Sequence, residues 1–256
     1  MIFDTHAHYE DEKFDLDREE LLASMRVHGI DKIVNVGSSL ETVKKSINLA
    51  EKYDFIYAAA GVHPSEIECL DEDGFVWLKE QAKHPKIVAV GEIGLDYYWD
   101  KEKDVQEKQR RWFRRQLALA KEIRLPVIIH SRDAAEDTLT IMKEAHTMQI
   151  PGVIHCFSYS VQMAEEYVRM GYYIGVGGVV TFKNAKKLKE VVEKIPLDYL
   201  LLETDCPYMA PEPFRGKRNS SLYLPYVVKK IAEIKGITEQ EVIDVTERNA
   251  RKMYRL

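Results

Sequence analysis

Five histidines and two carboxylates each follow a short apolar segment of the kind that forms a buried strand. Because the carboxyl ends of parallel strands meet at one edge, we expect these side chains to converge although they lie far apart in sequence. His6 and His8 are two residues apart, which places both imidazoles on the same side of an extended chain. The other members of the set are His63, Glu92, His130, His155 and Asp205.

The types and number of these side chains predict a site for two metal ions. The candidate ligands are His6, His8, Glu92, His130, His155 and Asp205. They exceed the four ligands of one tetrahedral zinc and suit two ions about 3.5–4 Å apart, bridged by a carboxylate and a water. Mixed nitrogen and oxygen donors favour zinc, manganese, iron or cobalt over calcium. We expect two divalent ions per subunit, with magnesium as a further candidate.

The other three histidines have no expected functional role. His28, His84 and His146 fall in the last turns of predicted helices. A partly positive ring interacts favourably with the helix dipole at that end. Structural roles are therefore sufficient to explain them.

Eight short runs rich in Val and Ile alternate with amphipathic segments along the 256 residues. This alternation predicts a parallel sheet, and eight strands in about 250 residues favour one closed (β/α)8 TIM barrel over an open doubly wound sheet. The glycines at 91–94 and 175–178 lack the spacing of a dinucleotide-binding loop. The predicted strands are Ile2–Asp4, Lys32–Val36, Ile56–Ala60, Ile87–Val90, Val127–Ile129, Gly152–Ile154, Tyr172–Val176 and Tyr199–Leu202.

Helix boundaries are marked by caps at several places. Leu16–Val27 ends at Gly29, and Ser39 is a plausible cap for a helix that reaches Lys52. Thr238, with a glutamate three residues later, has capping-box spacing for the helix Glu239–Tyr254. The chain from residue 1 to 256 is accordingly predicted to be a single barrel domain.

Composition excludes several classes of protein. Hydrophobic residues make up 45% and charged residues 31%, which is typical of a globular chain and not of a disordered one. The net charge of −5 means that any contact with nucleic acid must come from a local basic patch. No apolar run approaches the roughly 18 residues of a membrane span, and the acidic start does not resemble a secretory signal.

The three cysteines are few, odd in number and widely spaced. This pattern argues against a disulfide framework and favours a reducing, cytoplasmic compartment. Cys156 and Cys206 directly follow candidate ligands, and we interpret both as small packing residues.

Six motifs give the chain a resemblance, almost end to end, to the TatD family of metal-dependent deoxyribonucleases within the amidohydrolase-like barrels. The motifs are FDTHAHYE at 3–10, GVHP at 61–64, GEIGLDYYWD at 91–100, PVIIHSRDAAED at 126–137, GVIHCFS at 152–158 and LLETDCPYMAPEPFRGKRN at 201–219. The resemblance implies the same six metal ligands, with Glu92 bridging the two ions. It also implies a role for His63 in phosphate binding or catalysis, and it matches Glu203 to the glutamate beside the metal-binding aspartate.

Three positions depart from the family pattern. Tyr9 and Glu10 replace the more usual aliphatic residue and Asp or Asn after the His-x-His element, and neither is expected to contact a proposed ligand. Tyr159 stands where the family often has glycine. A tyrosine there could narrow the mouth of the barrel.

Asp205 is expected to have two functions, as a metal ligand and as the acceptor of a proton from the attacking water. Glu203 is expected to orient a ligand imidazole, and we count it among the catalytic residues with Asp205 and His63. The alternative for Glu203 is a buried glutamate paired with a nearby Arg or Lys.

A basic loop after the last strand carries Arg215, Lys217 and Arg218 near Tyr208 and Phe214. Clustered cations with aromatic rings suit a single-stranded backbone and a stacked base, and the alternative is a solvated basic turn.

Arg132 lies two residues after His130 and would face the same way on an extended chain, where it could clamp a phosphate. Its alternative role is an ion pair at the barrel rim. The segment after Glu92 has two possible roles: it lines the mouth of the barrel, or it is a packed loop. Its residues are Asp96, Tyr97 and Tyr98.

The first hypothesis is a metal-dependent nuclease, exonucleolytic and acting on single-stranded or end-accessible DNA. The second is a small-molecule amide, ester or phosphoester hydrolase of the amidohydrolase type. It is weakened because such enzymes often bridge metals with a modified lysine where this chain has Glu92. The third, a non-enzymatic metal-binding protein, is disfavoured because structural sites usually hold one ion in a closed ligand shell. No membrane contact and no obligate protein partner are predicted.

Overall fold

Eight parallel strands pair in the order in which they occur along the chain. The computed structural model describes residues 1–146 and 149–256. An isolated bridge between Ala7 and Cys206 brings the end of the first strand to the segment after the last, so the sheet curls into a (β/α)8 barrel. The strands are β1 (Ile2–Ala7), β2 (Ile30–Val36), β3 (Ile56–Ala60), β4 (Ile87–Asp96), β5 (Val127–Arg132), β6 (Gly152–Ile154), β7 (Tyr173–Val176) and β8 (Leu200–Leu202).

All eight predicted strands are present, but three of them extend beyond the carboxyl ends of their apolar runs, and β2 begins two residues earlier than predicted. β1 continues to Ala7, β4 to Asp96 and β5 to Arg132. The added residues include polar groups that interrupt the Val- and Ile-rich pattern, so the sequence placed the strand ends too early. These extensions carry His6, Glu92 and His130, which means that several candidate ligands lie on the rigid sheet itself.

Nine helices of the described ranges surround the sheet. They are α1 (Arg18–Ser24), α2 (Leu40–Lys52), α3 (Glu72–Gln81), α4 (Lys103–Ile123), α5 (Ala135–His146), α6 (Val161–Arg169), α7 (Lys186–Lys194), α8 (Leu224–Lys235) and α9 (Glu239–Tyr254). The Ser39 hydroxyl accepts the backbone N–H of Thr42, and Thr238 accepts that of Glu241, as the capping patterns predict.

The first predicted helix is shorter than expected and is followed by a separate 3₁₀ turn. α1 ends at Ser24, and Arg26–His28 form the turn, which Gly29 terminates with a φ of 84°. His28 and His146 end helical segments as predicted. The prediction for His84 is wrong, because α3 already ends at Gln81. The His84 ring lies 3.2 Å from a carboxylate oxygen of Glu51.

An inner cluster of apolar side chains is packed against the carboxyl-terminal helix α9. The Phe3 and Tyr254 rings stack with centroids 5.8 Å apart, and the Tyr254 hydroxyl donates a hydrogen bond to the Thr5 carbonyl. Met253 and Ala250 complete this contact. α9 therefore anchors β1, the strand that carries the His-x-His element.

Across the ranges 1–146 and 149–256, no helix has the length and apolar character needed to cross a membrane. The predicted cytoplasmic location stays a prediction. Cys69, Cys156 and Cys206 are all free thiols.

Candidate metal centre

The five histidines predicted at strand ends meet at the carboxyl ends of the strands. The Nε2 atoms of His6 and His8 lie 3.0 Å apart, as expected for rings on the same side of an extended chain. The His6 ring stacks on His155 with a centroid distance of 3.5 Å. The His63 and His130 rings are 4.2 Å apart in an edge-on arrangement.

Glu92 lies between two groups of imidazoles and faces each group with a different oxygen. Its Oε2 is 3.5 Å from Nε2 of His6 and 3.8 Å from Nε2 of His8. Its Oε1 is 2.8 Å from Nδ1 of His130 and 3.6 Å from Nε2 of His63. Only 6% of the side chain is exposed. A carboxylate in this arrangement can bridge two cations.

Asp205 completes one side of the cluster and is the most open of its carboxylates. Its Oδ1 lies 3.4 Å from Nε2 of His8 and 3.8 Å from Nε2 of both His6 and His155. The residue follows β8 with a φ of 56°, and its backbone N–H donates to the His6 carbonyl. Its side chain is 21% exposed, against 6% for Glu92, so Asp205 faces the mouth of the barrel.

Two imidazole rings have a partner on the side that faces away from the centre, so that their other nitrogens point toward the centre. Nδ1 of His8 donates to the Val36 carbonyl at 2.8 Å, which leaves its Nε2 facing the cluster. Nδ1 of His155 lies 3.1 Å from Oε2 of Glu203, and its Nε2 likewise points inward. Such outer partners fix the tautomer and the orientation of metal-binding imidazoles.

Glu203 is thus placed as an acceptor for a candidate ligand imidazole. Its second oxygen accepts the backbone N–H of Cys156 at 2.6 Å. The described ion pairs give it no Arg or Lys partner, so the alternative of a buried Glu–Arg or Glu–Lys pair is not what the structure has.

The buried charges of the cluster favour additional positive charge. Burial lowers the pKa of His155, but the Glu203 and Glu92 carboxylates outweigh it and raise that pKa to about 9. Burial likewise opposes charge on His8, and the contact with Asp205 nevertheless holds its pKa well above the usual value. For Glu92, burial favours the neutral form, yet the surrounding imidazoles hold its pKa well below the usual value.

The donor set fits divalent cations. Glu92, Asp96, Glu203 and Asp205 form their ion pairs with imidazoles, and no Lys or Arg of residues 1–146 or 149–256 pairs with them. Groups of three donor atoms within 4.8 Å of one another could each hold an ion. These groups are His6 with His8 and Asp205, His63 with Glu92 and His130, His155 with Cys156 and Asp205, and His6 with His155 and Glu203.

Asp96 is a member of the site that was not predicted as a ligand or as the partner of one. Its Oδ2 lies 3.1 Å from Nε2 of His130. Strand parity could have found it, because Glu92 and Asp96 are four residues apart on β4 and therefore face the same side. Gly94, between them, has a φ of 148° and lies against the His130 backbone, where a Cβ atom would overlap the carbonyl oxygen.

Asp4 is a second buried carboxylate that the sequence pattern does not identify. It accepts hydrogen bonds from the backbone and hydroxyl of Thr204 and from the Ser221 hydroxyl, and its Oδ1 accepts the His6 backbone N–H. Burial raises its pKa to about 7, although these hydrogen bonds lower it. Asp4 therefore joins β1 to the segment that carries Asp205.

The departures from the family pattern have specific contacts. The expectation that Glu10 contacts no proposed ligand is wrong, because its Oε1 lies 3.5 Å from Nδ1 of His8. Asn35 donates to its other oxygen at 2.7 Å and holds the buried side chain in that position. Tyr9 is buried and bonds to Ser221.

Tyr159 and the two cysteines that follow candidate ligands have defined surroundings. The half-buried Tyr159 hydroxyl lies 2.9 Å from that of Ser131. Cys206 is buried, as a packing residue would be, but Cys156 lies beside the donors His155 and Asp205. Burial and the neighbouring carboxylates raise the pKa of the Cys156 thiol well above its usual value, which disfavours the thiolate needed for metal binding.

The cations of the basic loop differ in their partners: one forms an ion pair and the others do not. Arg218 forms a bidentate ion pair with Asp17 at 2.7 and 2.5 Å. Arg215 instead lies over the Phe182 ring at 4.4 Å, and Lys217 is exposed. The Tyr208 hydroxyl donates to a carboxylate oxygen of Asp11, on the segment that follows β1.

Arg132 ends β5 and stacks on an exposed aromatic pair. Its guanidinium lies 3.9 Å from the centroid of the Tyr98 ring and 5.6 Å from that of Trp99. Ion pairs in the described part of the chain do not include Arg132, so the proposed rim ion pair is absent there. Tyr97 belongs to a packed contact, since its hydroxyl donates to Asp137.

Comparisons with known proteins give matches over nearly the whole chain. A family profile described as TatD related DNase matches residues 3–255. A Bacillus subtilis (strain 168) protein described as an uncharacterized metal-dependent hydrolase, YabD, is 48% identical over 257 residues, covering 100% of both chains. A Rahnella sp. (strain Y9602) protein named 3'-5' ssDNA/RNA exonuclease TatD is 35% identical over 250 residues, covering 95% of this chain and 94% of that protein.

A solved structure has the same fold over the whole chain. The crystal structure of YjjV, a TatD homolog from Escherichia coli K12, matches with a TM-score of 0.92 and 34% identity, covering 100% of this chain and 98% of that one.

Proposed function

The chain belongs to the TatD related DNase family of metal-dependent hydrolases, and we propose that it is a deoxyribonuclease that removes nucleotides from an end of single-stranded DNA. The Rahnella relative is named a 3'-5' exonuclease of single-stranded DNA and RNA. That name supports single-stranded DNA as the substrate and removal of nucleotides in the 3'-to-5' direction.

The observation that carries the proposal is the position of Glu92 between two sets of imidazoles. Its two oxygens face His6 and His8 on one side and His130 and His63 on the other. Two divalent ions held there would activate water as a nucleophile and neutralise charge on the phosphoryl and leaving oxygens. Phosphodiesters need both effects, because their anionic oxygens repel a nucleophile.

Asp205 is proposed to accept the proton of the attacking water. It is the most solvent-accessible carboxylate of the cluster, so a proton taken by its Oδ atoms can pass to bulk water. Glu203 keeps the His155 ring oriented through Nδ1 and does not need to contact substrate.

His63 is proposed to donate a hydrogen bond to the substrate phosphate. Its Nδ1 accepts the Ser65 backbone N–H at 3.1 Å, so the proton of the neutral ring is on Nε2. That nitrogen faces the Glu92 side of the mouth, where a phosphoryl oxygen would approach.

Substrate contacts are proposed on two separate parts of the mouth, because β5 and β8 are three strands apart in the barrel. Arg132, stacked on Tyr98, would meet a phosphate or base on the β5 side. Arg215, Lys217 and Tyr208 would meet the strand on the β8 side, where Arg218 fixes the loop through Asp17. An end of DNA fits this local basic surface better than long-range attraction of duplex to a chain of charge −5.

The test is hydrolysis of 5'- or 3'-labelled single-stranded DNA by metal-stripped protein to which manganese, magnesium, zinc or cobalt is restored. We expect a metal-dependent ladder of single-nucleotide steps that the Asp205→Asn variant does not produce. The comparison of the two labels gives the polarity. Cleavage of small phosphoesters or amides without any cleavage of DNA would overturn the nuclease proposal.

A further inference from the structure

Glu10 is a buried carboxylate behind the His8 ring, on the segment that follows β1. Its side chain is only 4% exposed, and its Oε1 lies 3.5 Å from Nδ1 of His8. The Nδ1–H itself donates to the Val36 carbonyl, so the carboxylate lies beside that hydrogen bond, on the side of the ring that faces away from the centre. The Nε2 atom of the same ring faces Glu92 and Asp205 in the candidate metal centre.

Two buried side chains hold the Glu10 carboxylate in this position. Nδ2 of Asn35, on β2, donates to Oε2 of Glu10 at 2.7 Å and to the hydroxyl of Ser46, on α2, at 2.8 Å. The side-chain oxygen of Asn35 accepts the Tyr9 backbone N–H at 2.6 Å. Asn35 and Ser46 are both fully buried. The carboxylate therefore cannot turn toward solvent without leaving buried polar groups unpaired, which is costly.

The charge of Glu10 is not neutralised by Lys or Arg in the described part of the chain. Arg18, on the neighbouring helix α1, donates to the backbone carbonyls of residues 9–11 and forms its ion pair with Asp15. Across residues 1–146 and 149–256, the ion pairs give Glu10 one partner, the His8 imidazole. A buried carboxylate is costly without a compensating charge, so His8 and the cation that His8 binds must supply it.

A carboxylate in this position changes the properties of His8 as a ligand. When Nε2 of an imidazole binds a divalent cation, the ring becomes more positive and its Nδ1–H becomes a stronger donor. A negative charge beside Nδ1 stabilises that state. The effect is local, because the described ion pairs of His6, His130 and His155 do not include Glu10.

We propose that Glu10 is a positioning residue that acts through His8 and strengthens the binding of one of the two divalent ions, the ion on the side of His6 and His8. The ion on the opposite side has a different carboxylate, Asp96, whose Oδ2 lies 3.1 Å from Nε2 of His130. Each ion therefore has its own supporting carboxylate, and the two affinities can be changed one at a time. This inference rests on the two-ion centre of the proposed function and not on the identity of the substrate.

The experiment measures metal binding and not cleavage. Zinc is titrated into metal-stripped protein in the presence of a competing chelator, and calorimetry follows the two binding steps. The test variant, Glu10→Gln, keeps the size of the side chain and an oxygen that accepts the Asn35 N–H, but it removes the charge. The matched control is Glu12→Gln, which removes the same charge from an exposed position on the same segment.

Two further variants complete the set. Glu10→Asp keeps the charge and tests whether a conservative change restores metal binding. Asp96→Ala removes the carboxylate that supports His130, and it should weaken the binding step that Glu10→Gln leaves unchanged.

Glu10→Gln should bind one of the two ions about ten-fold more weakly, which is the lower end of the loss expected when the outer partner of a ligand imidazole is removed. Its affinity for the other ion should stay at the wild-type value. Glu10→Asp should recover most of the loss, and Glu12→Gln should bind both ions as the wild type does.

Thermal unfolding separates this role from a merely structural one. Without metal, the Tm of Glu10→Gln should stay within about 3 °C of wild type, because its hydrogen bond with Asn35 is kept. The rise in Tm on addition of zinc should be smaller than in wild type. A merely structural Glu10 would give the opposite pattern, a lower Tm without metal and an unchanged rise with it.

Three results would overturn the role of Glu10. Glu10→Gln could keep both affinities, it could weaken both steps equally, or Glu12→Gln could show the same loss. These results leave the proposed function intact, since the wild type still binds two ions. Conversely, a wild-type protein that binds two ions with the expected response to Glu10→Gln but cleaves no DNA would keep the role of Glu10 and lose the nuclease proposal. A wild-type protein that binds only one ion would contradict both.

Discussion

Asp96 contacts His130 with one carboxylate oxygen and the neighbouring loop with the other. Its Oδ2 lies 3.1 Å from Nε2 of His130, while Oδ1 accepts the backbone N–H groups of Tyr98 at 3.0 Å and Trp99 at 3.2 Å. The same side chain therefore orients a candidate metal ligand and the loop that presents two exposed rings beside the mouth. We regard Asp96 as a positioning residue, because it acts through His130.

Replacing Asp96 should weaken metal binding and turnover together. We expect Asp96→Ala to lower metal affinity and kcat/KM by about 10–100-fold, as is typical when the outer partner of a ligand imidazole is lost. Asp96→Asn keeps an acceptor oxygen and should recover part of this loss. Calorimetric titration with zinc or manganese gives the affinity. Asp54→Ala, which removes an exposed ion pair with Arg26, is the control, and wild-type metal affinity in Asp96→Ala would contradict the role.

The division of the histidines into two groups can be tested with a pair of variants. Asp205→Asn should reduce turnover at least about 100-fold, because the amide cannot accept a proton as the carboxylate does. His146→Ala should keep activity close to wild type, since His146 ends α5 on the exposed outer surface. Steady-state hydrolysis of labelled DNA measures both. Equal behaviour of the two variants would refute the division.

Removal of metal should lower the thermal stability of the protein. The buried Glu92 and the nearby Asp205 have only imidazoles as described ion-pair partners, so a bound cation stabilises the folded state. At a metal concentration about 100 times the Kd, binding contributes about 2.7 kcal/mol, or roughly 5–10 °C in Tm. Scanning calorimetry before and after chelation measures the shift. Asp205→Asn should show a smaller one, and an unchanged wild-type Tm would show that metal does not bind the folded site.

The barrel could be predicted from the sequence because each strand is marked by a short run of neighbouring residues. Continuous Val and Ile runs mark strands buried on both faces, and every such run became a strand. The strand ends were harder to predict, because polar residues such as His130 and Asp96 continue the backbone pairing after the apolar pattern stops. The strands therefore continue into the candidate metal centre, where polar residues interrupt the apolar pattern that identifies a strand in the sequence.

The contacts that were not predicted join residues that are far apart in sequence and meet only in the folded chain. Nothing near Glu10 in the sequence indicates that Asn35 will hold it beside His8. Similarly, the pairing of Arg218 with Asp17 joins two segments that are far apart along the chain. Residue type showed that Arg218 is cationic, but only the packing of the loop showed that its charge is already neutralised.

Gly94 is a position at which stability and the metal centre depend on the absence of a side chain. It pairs with His130 across β4 and β5, and a Cβ atom there would overlap the His130 carbonyl. Gly94→Ala should therefore force the strands apart between Glu92 and His130. We expect a loss of about 2–4 kcal/mol in the free energy of unfolding, together with weaker metal binding. Urea denaturation and metal titration measure the two effects.

Gly171 provides the matched control for this substitution. It also has a positive φ, of 84°, but nothing lies within 4 Å of the position that its Cβ would occupy. In Gly171→Ala the free energy of unfolding should fall by only about 1–2 kcal/mol, the cost of placing alanine at a positive φ. This variant should bind metal as the wild type does. If the two alanine variants lost the same stability and bound metal equally, the contact with His130 would not matter. A larger loss confined to Gly94→Ala would show that the close approach of β4 to β5 holds Glu92 and His130 in register.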